Sequence, residues 1–224
     1  MVIDKIKEKI REIIITTDEQ KKEEQKKIVI VDSQALKNSV KEESKPEPDL
    51  RIIGLFSDVS DEKIAEIAQA MLYFNEVNRL EKHKKNKKPI EFYLNTYGGS
   101  AEDMFALYDI MGIVKKDTEI HTIGVGKVMS AGVLLLAAGT PGKRKIGKHC
   151  RIMIHNVMAV NHGTLPTLAN ELDAITKLQE TYIETLVECT KLTKKRLKKM
   201  LNEKVNIYLD AEKAIKLGIV DEII

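Results

Sequence analysis

From Arg51 to the C-terminus, short apolar runs alternate with stretches whose apolar positions recur three and four residues apart. The runs RIIGLF (51–56), PIEFYLN (89–95), IHTIGV (120–125) and RIMIH (151–155) predict strands. After the first, Ile64, Ile67, Ala68, Met71, Leu72, Phe74 and Val77 predict the apolar face of a helix. Ser60 is its predicted cap, and Asp61 and Glu62 fall in the first turn, where the helix dipole favours acids. Met104, Leu107, Tyr108 and Met111 predict a second helix, after the glycine turn TYGGS. The spacing predicts a third over Ser130–Ala138, stopped by Gly139. A long helix is predicted over 167–189 and another over 193–202. A short one lies in LDAEKAIKLG, between Asp210 as cap and Gly218 as stop, and IVDEI closes the chain. Such strand–helix alternation predicts an α/β domain with helices covering a sheet.

Residues 1–50 break the pattern. DEQKKEEQKK and KNSVKEESKPEPD are charged and proline-punctuated, with one short apolar patch, IVIV, at 28–31. They predict a partly disordered extension with a short helix at 3–15, where Ile3, Ile6, Ile10, Ile13 and Ile14 recur. The globular domain is then expected over 51–224. The basic stretch EKHKKNKK at 81–88 reads as a solvated loop, because no aromatic residues interleave with its cations.

Composition narrows the classes. A chain of 224 residues, 43% hydrophobic, is long enough to bury a sizeable core. A net charge of +3 gives no global case for nucleic-acid binding. Cys150 and Cys189 lie in no pairing motif, which suits a reducing compartment or buried thiols. No apolar run reaches the roughly 18–20 residues of a spanning helix. The first residues mix acids with bases and read poorly as a signal peptide. A cytoplasmic protein with no membrane partner is the expectation. No histidine has a glutamate or cysteine at metal-ligand spacing, so neither a metal nor a cofactor is expected.

Three features carry candidate chemistry. Ser130 follows a predicted strand and opens a predicted helix, so it is either a helix cap or a nucleophile on a tight turn. His155 ends an apolar strand, where a histidine serves structure or acid–base chemistry. The glycine pair in NTYGGS lets backbone N–H groups point into a pocket, or simply turns the chain.

Together these features resemble a family. YLNTYGGSAEDMFALYDIM, TIGVGKVMSAGVLLLAAGTPGKR, RIMIHN with Gly163 eight residues after the histidine, and LDAEKAIKLGIVDEI resemble, in order, the proteolytic subunit of the Clp protease (the ClpP family). The resemblance covers about 51–224 and includes the 25-residue step from Ser130 to His155. It implies a crotonase-like α/β fold of repeated β-β-α units, with helices packed on a sheet. A protruding strand–helix handle is implied at about 155–190. It further implies a serine endopeptidase acting on unfolded polypeptides through an acyl-enzyme. Ser130 matches the nucleophile and His155 the general base. Gly99 and Ala131 match the positions whose N–H groups form the oxyanion hole. Tyr93 and Ile113 match the docking groove for an AAA+ unfoldase, and the implied assembly is a homo-oligomer of two stacked heptameric rings. Counting back from GIVDEI, the third catalytic position falls on Asn206 where the family has aspartate. Lys127, Val128 and Met129 replace small residues before the nucleophile, and Tyr97 stands where proline is usual. Two other readings remain: a weak or inactive subunit of a mixed ring, and a crotonase-like acyl-CoA enzyme.

Overall fold

The computed structural model of the protein describes residues 50–81, 83 and 87–224. The predicted extension up to residue 49, its short helix and most of the interior of the lysine-rich loop lie outside the described residues. The elements are β1 (Ile52–Leu55), α1 (Asp61–Leu80), β2 (Ile90–Thr96), α2 (Ala101–Val114), β3 (Ile120–Met129), α3 (Ala131–Ala137), β4 (Lys145–Ile146), β5 (Arg151–His155), α4 (Leu165–Cys189), α5 (Lys194–Glu203), β6 (Asn206–Leu209), α6 (Ala211–Leu217) and β7 (Glu222–Ile223).

The sheet is mostly parallel, in the order β1-β2-β3-β4-β7, and helices cover it as the α/β expectation required. In β2 the side chains of Ile90, Phe92, Leu94 and Thr96 alternate into the core. The helices bring Met71, Met104, Leu107 and Met111 against them. Helix α3 is buried all round, from Ala131 to Ala137, as an apolar run with no polar face must be. Fully burying each of its three leucines contributes about 1.5–3 kcal/mol.

Three details depart from expectation. The third strand does not end at Val125; it runs on to Met129. The pairs Leu94↔Gly124 and Thr96↔Val128 leave Asn95 opposite three residues, so β3 bulges there. Gly126 takes a φ of 63° at that bulge, a conformation that favours glycine. Beyond it, Lys127, Val128 and Met129 pair with Arg151, Ile152 and Met153 of β5. In α1, Leu72 is exposed and Asn75 and Asn78 are buried in the helix's last turns. Polar groups at that end decide the outcome: Asn78 Nδ2 donates to the Lys88 carbonyl (2.9 Å) and to Thr118 Oγ1 (3.0 Å). Thr118 Oγ1 in turn donates to Asn75 Oδ1 (2.8 Å). Ser60 precedes α1, but its side chain makes no capping bond.

Helix α4 carries Pro166 in its first turn, where the missing N–H costs nothing. Its first half stands clear of the body. Leu165 is 81% and Leu172 64% exposed, and its buried residues begin only at Tyr182. This is the protruding handle.

Candidate active site

Ser130 sits between β3 and α3 with φ 54° and ψ −124°, the one non-glycine residue with positive φ among those described. An ordinary N-cap has extended backbone and lends its side chain to an amide two or three residues on. Ser100 does this, accepting from the Asp103 N–H at 3.1 Å. Ser130 does not: its hydroxyl makes no capping bond. The capping role considered from the sequence therefore does not use the Ser130 side chain. Its strained backbone is held by the surrounding contacts rather than by its own side chain.

Three contacts hold it. Its N–H donates to the Met153 carbonyl of β5 at 2.8 Å. Its carbonyl accepts from the Val133 N–H (3.0 Å) and the Tyr182 hydroxyl of α4 (3.5 Å). Tyr182 is 5% exposed, and burial raises the pKa of its phenol, so it remains a neutral donor. Gly98 packs directly beneath: a Cβ there would stand 2.6 Å from Ser130 Cβ.

The glycine pair is tied to the loop before α1. Val59 donates to the Gly98 carbonyl (2.7 Å), and Ser100 donates to the Val59 carbonyl (2.9 Å). Gly99 approaches so closely that a Cβ would lie 2.2 Å from the Val59 oxygen. The Gly99 N–H has no hydrogen-bond partner among the described residues. The Ala131 N–H opens α3, where no intrahelical acceptor exists.

Ser130, Gly99, Ala131 and His155 border one cavity of about 470 Å³. His155 reaches it because β5 runs beside the end of β3. Behind His155 the chain is anchored twice. The Val157 N–H donates to Gln179 Oε1 at 2.6 Å, and Asn156 Nδ2 donates to the Leu201 carbonyl at 3.2 Å. Asn206 lies directly opposite His155 in the antiparallel β5–β6 pair. Such partners share a face with Cβ atoms about 4.5–5.5 Å apart. The carboxylates near Asn206 in sequence are engaged elsewhere. Asp210 caps α6 through the Lys213 N–H (2.8 Å), which with the Lys213 side chain holds its carboxyl below the usual range. Glu203 lies 3.7 Å from Lys199 Nζ.

Ser130 Oγ, the His155 ring and the Asn206 side chain make no hydrogen bond with one another. Lys127 stays out of the cavity, its ammonium 4.3 Å from the Tyr97 ring centre and 3.2 Å from Asn95 Oδ1. Tyr93 and Ile113 fall on separate elements. Tyr93 is half-buried on β2, its hydroxyl 3.3 Å from Glu91 Oε2, and Ile113 is 49% exposed near the end of α2. Gly98, Tyr182 and Gln179 are contacts that sequence reasoning missed. Only the glycine doublet carried a local signal; the other two read as ordinary helix residues. Among the described residues no cluster of histidine, cysteine or acids could hold a metal, and no helix is long and apolar enough to cross a membrane.

A model of the family described as Clp protease matches residues 47–224. Curated relatives align over the same region. The ATP-dependent Clp protease proteolytic subunit 2 of Prochlorococcus marinus is 33% identical over 178 residues, 78% of this chain and 82% of that protein. Subunit 3 of a Synechococcus species is also 33% identical over 178 residues, with the same coverage. Subunit 1 of another Prochlorococcus marinus strain is 34% identical over 171 residues, 76% of this chain and 82% of that protein.

Proposed function

Because the chain belongs to the Clp protease family, we propose that it is a working serine endopeptidase subunit that hydrolyses unfolded polypeptides through an acyl-enzyme. The observation that carries this reading is Ser130, with its positive φ and uncommitted hydroxyl, on the same cavity as His155. Ser130 Oγ attacks the scissile carbonyl carbon while His155 takes its proton. The Gly99 and Ala131 N–H groups receive the oxyanion. His155 returns the proton to the leaving amine, and water then repeats the sequence on the acyl-enzyme. The Asn206 side-chain carbonyl accepts the second ring N–H and fixes the tautomer, without supplying negative charge.

The assembly belongs to the same reading: a homo-oligomer of two stacked heptameric rings in the cytoplasm. Exposed Met158, Val160, Leu165 and Leu172 on the handle give a second ring an apolar contact. Tyr93 and Ile113 contribute to docking of an AAA+ unfoldase, the ATP dependence being part of the relatives' names. The peptidase domain spans 51–224, with residues 1–50 as its extension.

A second reading is a subunit of low activity in a mixed ring, and Asn206 opposite His155 favours it. In a serine-protease site, aspartate to asparagine cost about 10⁴ in turnover, through the wrong tautomer. A fluorophosphonate probe with mass spectrometry separates the two. The working enzyme gains an adduct on Ser130 that is lost in Ser130→Ala. No adduct on the assembled protein refutes it. Asn206→Asp is expected to raise the rate on the order of 10–100-fold, at about 1.36 kcal/mol per tenfold. An unchanged rate would show that Asn206 does not serve His155.

A further inference from the structure

Two carboxylates border the cavity beside Ser130. Glu102 comes from the first turn of α2 and Glu171 from the exposed half of α4, so two separate helices contribute one each. Neither makes an ion pair or a side-chain hydrogen bond among the described residues. No lysine or arginine lines the cavity, in a chain where Lys+Arg (37) outnumber Asp+Glu (34). The lysine next to its rim, Lys127, does not line it and lies over the Tyr97 ring instead. Apolar side chains line the same cavity: Met104 and Tyr182 are buried, Ile175 and Leu178 half-buried, beside the polar Asn156 and Asn161.

An apolar wall with an acidic rim matches a side chain with a long aliphatic stem and a cationic head. We propose that the subsite beside Ser130 selects lysine or arginine on the acyl side of the cleaved bond. The inference rests on the peptidase reading above. A leucine there covers the wall but leaves both carboxylates without a partner. A glutamate adds a third negative charge to the same cavity. A lysine lays its methylenes on Ile175 and Leu178 and brings its ammonium to Glu102 and Glu171. Discrimination then comes from charge as well as from fit.

The test uses the full chain in its assembled form and peptides that differ only at this position. Lysine, norleucine, acetyl-lysine and glutamate are compared by kcat/KM. Norleucine carries the stem alone, and acetyl-lysine keeps the length without the charge. Lysine is expected to exceed both, by about fivefold for each carboxylate engaged, with glutamate cleaved least. Added salt narrows the ratio, because both acids are exposed. The double variant Glu102→Gln/Glu171→Gln brings lysine level with norleucine, and Glu171→Lys raises the rate on glutamate. Lysine no better than acetyl-lysine and norleucine overturns the proposal, and so does a lysine preference that survives the double variant. Fluorophosphonate labelling of the same preparations separates the two levels. Labelled Ser130 without lysine preference overturns this inference alone. An unlabelled protein that cleaves none of the peptides overturns the peptidase reading with it.

Discussion

Replacing Gly98 by alanine is the sharpest perturbation of the Ser130 elbow. A Cβ at this position would stand 2.6 Å from Ser130 Cβ, 2.8 Å from the Met129 carbonyl oxygen and 3.1 Å from the Ala131 nitrogen. Ordinary carbon contacts lie at about 3.5–4.0 Å, so the two segments must part by about 1 Å. None of the three atoms is the free end of a flexible side chain. The shift therefore passes to Ser130, whose N–H is fixed on Met153. A displacement of about 1 Å costs catalysis on the order of 10². Gly98 also holds φ 101°, and such strain at alanine costs about 1–3 kcal/mol. At about 2–4 °C per kcal/mol, the variant remains folded with a lowered Tm. The assay is the rate of fluorophosphonate labelling at Ser130, with thermal melting in parallel. Gly112→Ala is the control. Gly112 lies in α2 with nothing within 4 Å of a built Cβ, so alanine stabilises by about 0.5–1 kcal/mol and leaves labelling unchanged. If Gly98→Ala labels at the parent's rate, the claim that Gly98 positions Ser130 is refuted.

The Arg144–Asp221 pair should dominate the acid limb of stability. Asp221 accepts from Arg144 Nε (2.8 Å) and Nη2 (2.6 Å), and these bonds hold its carboxyl below the ordinary value of 3.8. A depressed carboxylate contributes stability above its unfolded pKa and loses it as pH falls through the folded one. Asp221→Asn should therefore cost about 3 kcal/mol near neutral pH, with the gap to the parent closing below pH 3.8 in melting curves. A gap that persists in strong acid would place the effect outside this pair. Cys150 is 2% exposed and burial pushes its thiol up to about 11, so a maleimide at neutral pH should modify Cys189 and spare Cys150 until the protein is denatured. Peptide mapping checks this. Tyr182→Phe removes the hydroxyl that reaches the Ser130 carbonyl at 3.5 Å and should lower stability by about 1 kcal/mol, read by denaturant titration.

Much of the fold was legible because the apolar runs are strongly periodic. The first four predicted strands, the third running on to Met129, and all six helices of the described residues fall where runs and spacing put them. What escaped was decided at a distance. Strands β4 and β7 have two residues each, too few to show a period. The third strand runs past its predicted end because Lys127, Val128 and Met129 pair with β5, beyond the bulge at Gly126. Asn75 and Asn78 are buried because the end of α1 meets the Lys88 carbonyl and Thr118, which bond their amides, while Leu72 is exposed. At the site, Ser130 and His155 were recognisable only as members of an ordered set of motifs. The cavity they share depends on β5 lying along the end of β3, which no local pattern records.

The position of Asn206 follows from packing rather than from its own chemistry. In the β5–β6 pair, Ile207 is opposite Ile154 and Leu209 opposite Ile152, and all four are buried. A slip of one residue would turn Ile207 and Leu209 outward and bury Asn206 and Tyr208. Burying each such branched side chain contributes about 1.5–3 kcal/mol, so the register is firmly held. Asn206 is thereby locked to the face of His155. Val205 and Ile207 cannot take its place without that loss, Asp210 is committed to capping α6, and Glu203 lies in α5 rather than on β6. The cross-strand neighbour of His155 is therefore a neutral amide. In the proposed mechanism the Asn206 carbonyl can orient the imidazole, but an amide, which also donates, holds the tautomer less strictly than a carboxylate and leaves the imidazolium without a counter-charge. The difference appears in the charged transition state and not in the resting site. Asn206→Asp should therefore raise kcat and leave KM nearly unchanged, the pattern of an interaction made only in the transition state.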